Sequence, residues 1–115
     1  MSENTPDGAG AGESSVQELS RADVDGMPGL VVLEFGAEWC GFCQALRPHL
    51  QALLRRHPEV VHRAVEDGPG RPLGRSFRVK LWPTLVFLRD GQVVRQMARP
   101  TPDEAAAGLA ALVGT

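Results

Sequence analysis

The run Leu30-Val31-Val32-Leu33-Glu34-Phe35 is nearly continuous in large apolar side chains, several of them β-branched. Such a run offers no polar face to water, so it predicts a strand covered on both sides and central in a sheet. After Gly36-Ala37-Glu38 the period changes. Phe42, Leu46, Leu50, Leu53 and Leu54 recur at helical spacing and predict one buried helix face, running to about His57. Pro48 lies inside that helix, cannot donate to the carbonyl of Gln44, and predicts a kink. Pro58 ends it. A buried strand leading straight into an amphipathic helix commits the chain to a layered α/β architecture.

The remaining elements follow from turn and cap chemistry. Ser20-Arg21-Ala22-Asp23 suggests a helical turn stopped at Gly26-Met27-Pro28-Gly29, preceded by a short edge strand over Val16 to Leu19. Val60 to Val65 reads as a second strand, and Glu66 to Pro72 as a loop. Leu73 to Phe77 is long enough for a short helix, and Val79-Lys80-Leu81 leads to Trp82-Pro83. Thr84 to Arg89 is another apolar strand. Asp90-Gly91 is a preferred two-residue hairpin turn, so Gln92 to Ala98 returns antiparallel. Thr101-Pro102-Asp103-Glu104 has the residues of a helix start: Thr as N-cap, Pro in the first turn and Glu three residues after the cap. Ala105, Leu109, Leu112 and Val113 supply that helix's buried face. The expectation is a mixed central sheet of four to five strands with helices on both faces.

Residues 1–15, rich in Gly, Ser, Asn, Asp and Glu, read as a flexible leader, and residues 16–115 as one domain. Twelve Lys and Arg against fourteen Asp and Glu give a net charge of −2, which argues against a nucleic-acid binder, since phosphate neutralisation needs a basic excess. The longest apolar run, Gly29 to Leu33, is far short of a bilayer span, so no membrane role is expected. The first fifteen residues carry no Lys or Arg and no apolar core, unlike a secretory signal. The expectation is a cytoplasmic monomer whose cysteines stay reduced unless they work. Arg71, Arg75, Arg78 and Lys80 read as a solvated basic edge rather than an anion site.

There are two cysteines, Cys40 and Cys43, in Cys-x-x-Cys spacing. Thirteen residues separate Cys43 from His57 and four separate His57 from His62, which matches a zinc-finger spacing. Context refuses it: His57 precedes a proline, which biases it away from helix, and His62 falls in a β-like run. A Cys-x-x-Cys after a buried strand, opening a helix, is instead a redox arrangement. The first cysteine lies at the helix N-terminus, where unpaired N–H groups and the helix dipole favour thiolate. The second lies one turn on, close enough to attack a mixed disulfide. His49, nine residues past Cys40, is half a turn out of phase and is not its base.

Phe35-Gly36-Ala37-Glu38-Trp39-Cys40-Gly41-Phe42-Cys43 closely resembles the thioredoxin active-site segment. Pro48 falls where that family kinks its active-site helix, and Trp82-Pro83-Thr84-Leu85 resembles its cis-proline loop, about forty residues downstream. The resemblance covers roughly Val16 to Val113. It implies the thioredoxin fold and a thiol–disulfide oxidoreductase without bound cofactor or metal. Cys40 is then the nucleophile, Cys43 the resolving thiol, and the two form the redox disulfide. Trp39 packs beside the pair, and Pro83 presents adjacent backbone to an extended substrate. Gly41, Phe42, Trp82, Thr84 and Ala98 join them on the substrate-binding surface. Glu34 stands where the family usually has a buried Asp that accepts the second cysteine's proton, and a carboxylate suits that acid–base work. Protein disulfides are the implied substrates and a thioredoxin reductase the implied electron donor.

Departures from the family pattern cluster around the groove. Phe42 replaces a proline between the cysteines, a position that tunes redox poise. Gly36 stands where an aromatic is common. Ala98-Arg99-Pro100 stands where a glycine usually lets a substrate approach, and Trp82 is bulkier than the usual residue before the cis-proline. These departures favour the alternative of a chaperone or adaptor that binds a dedicated client and uses the pair as a sensor. The intact pair favours the enzyme.

Overall fold

The computed structural model describes residues 19–114. The leader, and the predicted edge strand up to Glu18, lie outside the described residues; Leu19 itself has no regular structure. The elements are α1 (Arg21–Asp25), β1 (Leu30–Gly36), α2 (Gly41–Arg55), β2 (Val60–Glu66), α3 (Pro72–Ser76), β3 (Thr84–Arg89), β4 (Gln92–Ala98) and α4 (Pro102–Gly114). From α1 onward the predicted order holds, with boundaries within two residues of expectation.

Among the described residues the strands form one four-stranded sheet in the order β2-β1-β3-β4. β1 pairs parallel with β2 and antiparallel with β3, while β3 pairs antiparallel with β4. The apolar run does become a central strand, buried from Val31 to Gly36. Alternation divides its side chains between two cores. Val32 packs with Leu46 and Leu50 of α2, Leu85 and Phe87 of β3, and Leu109 and Leu112 of α4. Val31, Leu33 and Phe35 face the other way, against Val24 of α1, Leu73 of α3 and Phe77 at the end of α3. Each large apolar side chain so buried contributes about 1.5–3 kcal/mol, which is why the uninterrupted pattern decides the layering.

Local chemistry sets the ends. Ser20 and Asp23 form a reciprocal capping box at α1. At α4, Glu104 N donates to Thr101 Oγ1 at 3.1 Å and Thr101 N donates to Glu104 Oε1 at 2.9 Å, the predicted box. The β3–β4 turn has φ of 49° at Asp90 and 80° at Gly91, the left-handed pair such a hairpin requires. α2 runs on through Pro48 to Arg55. One expectation needs correcting: Phe42 does not join the buried face of α2. It sits in the first turn, 60% exposed, while Leu46 and Leu50 are buried and Leu53 and Leu54 pack against the core.

Candidate active site

β1 ends at Gly36, and three residues later the chain is already turning into α2. Cys40 N donates to Ala37 O at 3.1 Å, and Gln44 N donates to Cys40 O at 3.0 Å as the first helical bond. Cys40 is therefore the N-cap, with extended backbone, and its sulfur takes the place of a capping oxygen. Its Sγ accepts the Cys43 N–H at 3.2 Å. A helix N–H thus points at the Cys40 sulfur, which sits at the N-terminal end of the helix dipole. Cys40 is 6% exposed and Cys43 fully buried, and both are free thiols.

Glu34 is buried at 2% exposure on the β1 face that meets α2. Its Oε1 lies 2.8 Å from His62 Nε2, and Arg47 Nη2 of α2 lies 3.5 Å from its Oε2, an ion pair without a hydrogen bond. Sequence reasoning missed both partners. The parallel register that sets Val32 beside His62 puts the imidazole on Glu34's face of the sheet, and one helical turn puts Arg47 after Cys43. His57 meets Glu59 at 3.5 Å instead, so the two histidines of the zinc-like spacing serve different carboxylates.

On the other side of the pair, partly buried Trp82 packs against Ala37, Cys40 and Cys43. Its Nε1 donates to Asp67 Oδ2 at 2.9 Å, a partner the sequence did not announce. Trp39, expected beside the cysteines, is 75% exposed and meets Trp82 edge-on at 5.3 Å between ring centroids. The Trp82–Pro83 bond is cis. Thr84 is buried and its hydroxyl donates to Leu81 O at 2.6 Å, so its side chain closes the loop from within rather than facing the groove. Gly41 and Ala98 are exposed.

The family model for thioredoxin matches residues 15–111. The chain belongs to the thioredoxin family. Its fold superposes on thioredoxin 2 from Pseudomonas aeruginosa PAO1 in its reduced form with a TM-score of 0.77 and 48% identity, over 85% of this chain and 92% of that one. Among curated proteins it is 44% identical to protein disulfide-isomerase A2 of Pongo abelii over 82 residues, which cover 68% of this chain and 15% of that protein. It is 31% identical to the F-type chloroplastic thioredoxin of Brassica napus over 81 residues, 70% of this chain and 44% of that protein. The matched segments thus span less than two thirds of these curated relatives. Family and structural neighbours alike are thiol–disulfide oxidoreductase scaffolds, and this chain carries their Cys-x-x-Cys pair.

Within that thioredoxin frame the two sulfurs are unequal. Burial, first of all, holds the Cys43 thiol up from the ordinary 9.0 to about 11. Its hydrogen bond with Cys40 and the charges of Cys40 and Glu34 act the same way, while a backbone hydrogen bond at Ala37 opposes them. Cys43 thus holds its proton at neutral pH and needs a base to release it. The groove differs from the thioredoxin pattern at Arg99, whose φ is 49° in a region that favours glycine. A non-glycine residue held there costs about 1–3 kcal/mol. Arg99 N donates to Pro83 O at 2.7 Å, its Nε donates to Trp82 O at 2.8 Å, and its Cζ stands 4.2 Å from the centroid of the Phe42 ring. Beside it lies an open cavity of about 260 Å³ between Phe42 and Leu46 of α2 and Pro83 and Pro100.

Proposed function

We propose that this chain reduces protein disulfides through Cys40 and Cys43, with Glu34 handling the proton. The observation that carries the reading is the Cys43 N–H donating to Cys40 Sγ at 3.2 Å, with Cys43 itself fully buried behind it. The Cys40 thiolate attacks one sulfur of the client disulfide. That bond breaks, and the client's other sulfur leaves as a thiolate and takes up a proton. Cys43 then gives its proton to the Glu34 carboxylate and attacks Cys40 Sγ. The mixed disulfide breaks, the second client sulfur leaves with a proton returned from Glu34, and Cys40 and Cys43 are left as a disulfide. Two electrons have passed to the client. His62 and Arg47 hold Glu34 in place while it changes charge.

Trp39, Trp82, Pro83, Gly41, Phe42 and Ala98 make the surface that holds the client, and Thr84 supports it from within. A thioredoxin reductase returns the electrons. The protein works as a monomer in the cytoplasm. Its reducing thiols suit such a compartment, and among the described residues no helix is long and apolar enough to cross a membrane. A second reading, a client-binding adaptor with the pair as sensor, is favoured by Arg99 standing over the groove. Insulin-disulfide reduction, driven first by dithiothreitol and then by a thioredoxin reductase, separates the two. Turnover in the first assay supports the enzyme, and turnover in the second supports the donor. Inactivity in both favours the adaptor.

A further inference from the structure

Arg99 is held from three sides. Its backbone N–H is tied to Pro83 O, its Nε to Trp82 O, and its guanidinium lies on the face of Phe42, the residue between the cysteine-flanked Gly41 and Cys43. A guanidinium has five N–H donors, of which Nε is used here. Neither Nη makes a hydrogen bond or ion pair among the described residues. The adjoining cavity is lined by apolar side chains with His49 and Arg99, and by no carboxylate. The acidic residues nearest in sequence, Asp103 and Glu104, stay outside that lining, and Glu104 accepts the Thr101 N–H. The result is a preorganised cation with its outer edge unpaired, at the rim of a largely apolar groove whose wall includes Phe42, two residues from Cys40.

We propose that Arg99 is the specificity-determining residue of this groove and selects clients with a carboxylate side chain next to the reactive cysteine. The outer edge of a guanidinium matches a carboxylate in two parallel hydrogen bonds. Its stem is already fixed by the ring and the loop carbonyl, so a client loses little freedom in pairing with it. An acidic flank on the client also meets no competing carboxylate in the lining, whereas a basic flank meets the guanidinium and is repelled. The apolar wall of Phe42, Pro83 and Pro100 takes the client's backbone and neighbouring side chain. The inference rests on the oxidoreductase reading and adds the client's charge to it.

The test uses two synthetic cystine-linked peptides, alike except for Glu or Gln beside the cysteine. Bis(2-hydroxyethyl) disulfide serves as a neutral substrate that reports the chemistry alone. Second-order reduction rates of the full chain are followed by tryptophan fluorescence. At low ionic strength the Glu peptide reacts about three- to fivefold faster than the Gln peptide, the upper range for an exposed ion pair. The ratio falls towards one in high salt. It also falls to one in Arg99→Gln and in Arg99→Gly, the latter suited to the left-handed backbone, and it inverts in Arg99→Glu. Because each variant is read as a ratio, a general loss of activity cancels. Equal rates in the wild type, or a preference that survives Arg99→Gln, overturn the assignment of Arg99. Failure to reduce even the neutral disulfide overturns the oxidoreductase reading beneath it.

Discussion

Gly36 and Cys43 share one volume: a β-carbon built on Gly36 would stand 2.6 Å from the Cys43 sulfur. The end of the central strand is bare, which leaves room for the Cys43 thiol to lie against it. Gly36→Ala therefore pushes the sulfur out of line with Cys40. Overpacking of this kind typically costs about 1–3 kcal/mol, read as a lower urea midpoint. The functional signature is specific: attack by Cys40 continues, while the mixed disulfide lives longer. Quenched-flow mass spectrometry of that intermediate checks it, and an unchanged lifetime counts against the role given to Gly36.

The raised Cys43 thiol makes the reduced protein lose stability in alkali. The unfolded chain releases this proton near 9.0 and the folded chain near about 11, so between those values the folded state binds more protons. Unfolding free energy then falls as pH rises through that window, and the contribution is fully present below it. Chemical denaturation of the reduced protein from pH 8 to 11 shows the fall, and Cys43→Ala removes that component. Iodoacetamide should label Cys43 in the folded protein only towards the top of the same window.

Cys43→Ser leaves the attacking sulfur without its resolving partner. Mixed disulfides through Cys40 accumulate and are captured on non-reducing gels. Cys40→Ser, by contrast, captures few clients, because Cys43 is buried and protonated at neutral pH. Equal trapping by both variants would reverse the assigned roles.

Glu34→Gln keeps the shape and a hydrogen-bonding partner for His62 but removes the proton acceptor. Turnover near neutral pH falls by about 10²- to 10⁴-fold where proton removal limits the rate. The deficit shrinks at higher pH, where hydroxide deprotonates Cys43 directly. Stability changes little, because the lower cost of burying an amide offsets the loss of the half-exposed ion pair with Arg47. Normal turnover with a large stability loss would make Glu34 a structural group.

Thr101→Ala removes the hydroxyl that accepts the Glu104 N–H at 3.1 Å. The expected loss is about 1 kcal/mol of stability, seen as a lower denaturation midpoint, with the peptide-disulfide preference unaltered.

Some of this molecule was legible residue by residue. The apolar run from Leu30 to Phe35, the Asp90-Gly91 turn, and the Thr101–Glu104 box each settle their own structure within a few residues. In each case the deciding term is local: burial of adjacent side chains, left-handed backbone, or a hydrogen bond across one helical turn. The same holds for Cys40 and Cys43, whose spacing at the start of a helix makes them neighbours. Phe42 shows the limit of periodicity. It continues the apolar series of α2 yet sits in the first turn, where the Arg99 guanidinium rather than the apolar core meets its ring.

What only the tertiary structure decided is which distant groups meet the pair. Glu34 was marked in the sequence as a lone carboxylate in an apolar strand. Its partner His62 became its partner only when β1 and β2 paired in a particular parallel register. A shift of one residue would have turned that imidazole to the opposite face of the sheet. Likewise Trp82 rather than Trp39 lies in the apolar cluster with the cysteines, anchored by Asp67. Arg99 reaches Phe42 because β4 ends beside the loop at Pro83. The sequence by itself determined the strand, the helix and the reactive pair at their junction, because those depend on neighbours along the chain. Strand register and cross-element packing chose Glu34's partners and the cation at the groove, because those contacts exist only after the elements have docked.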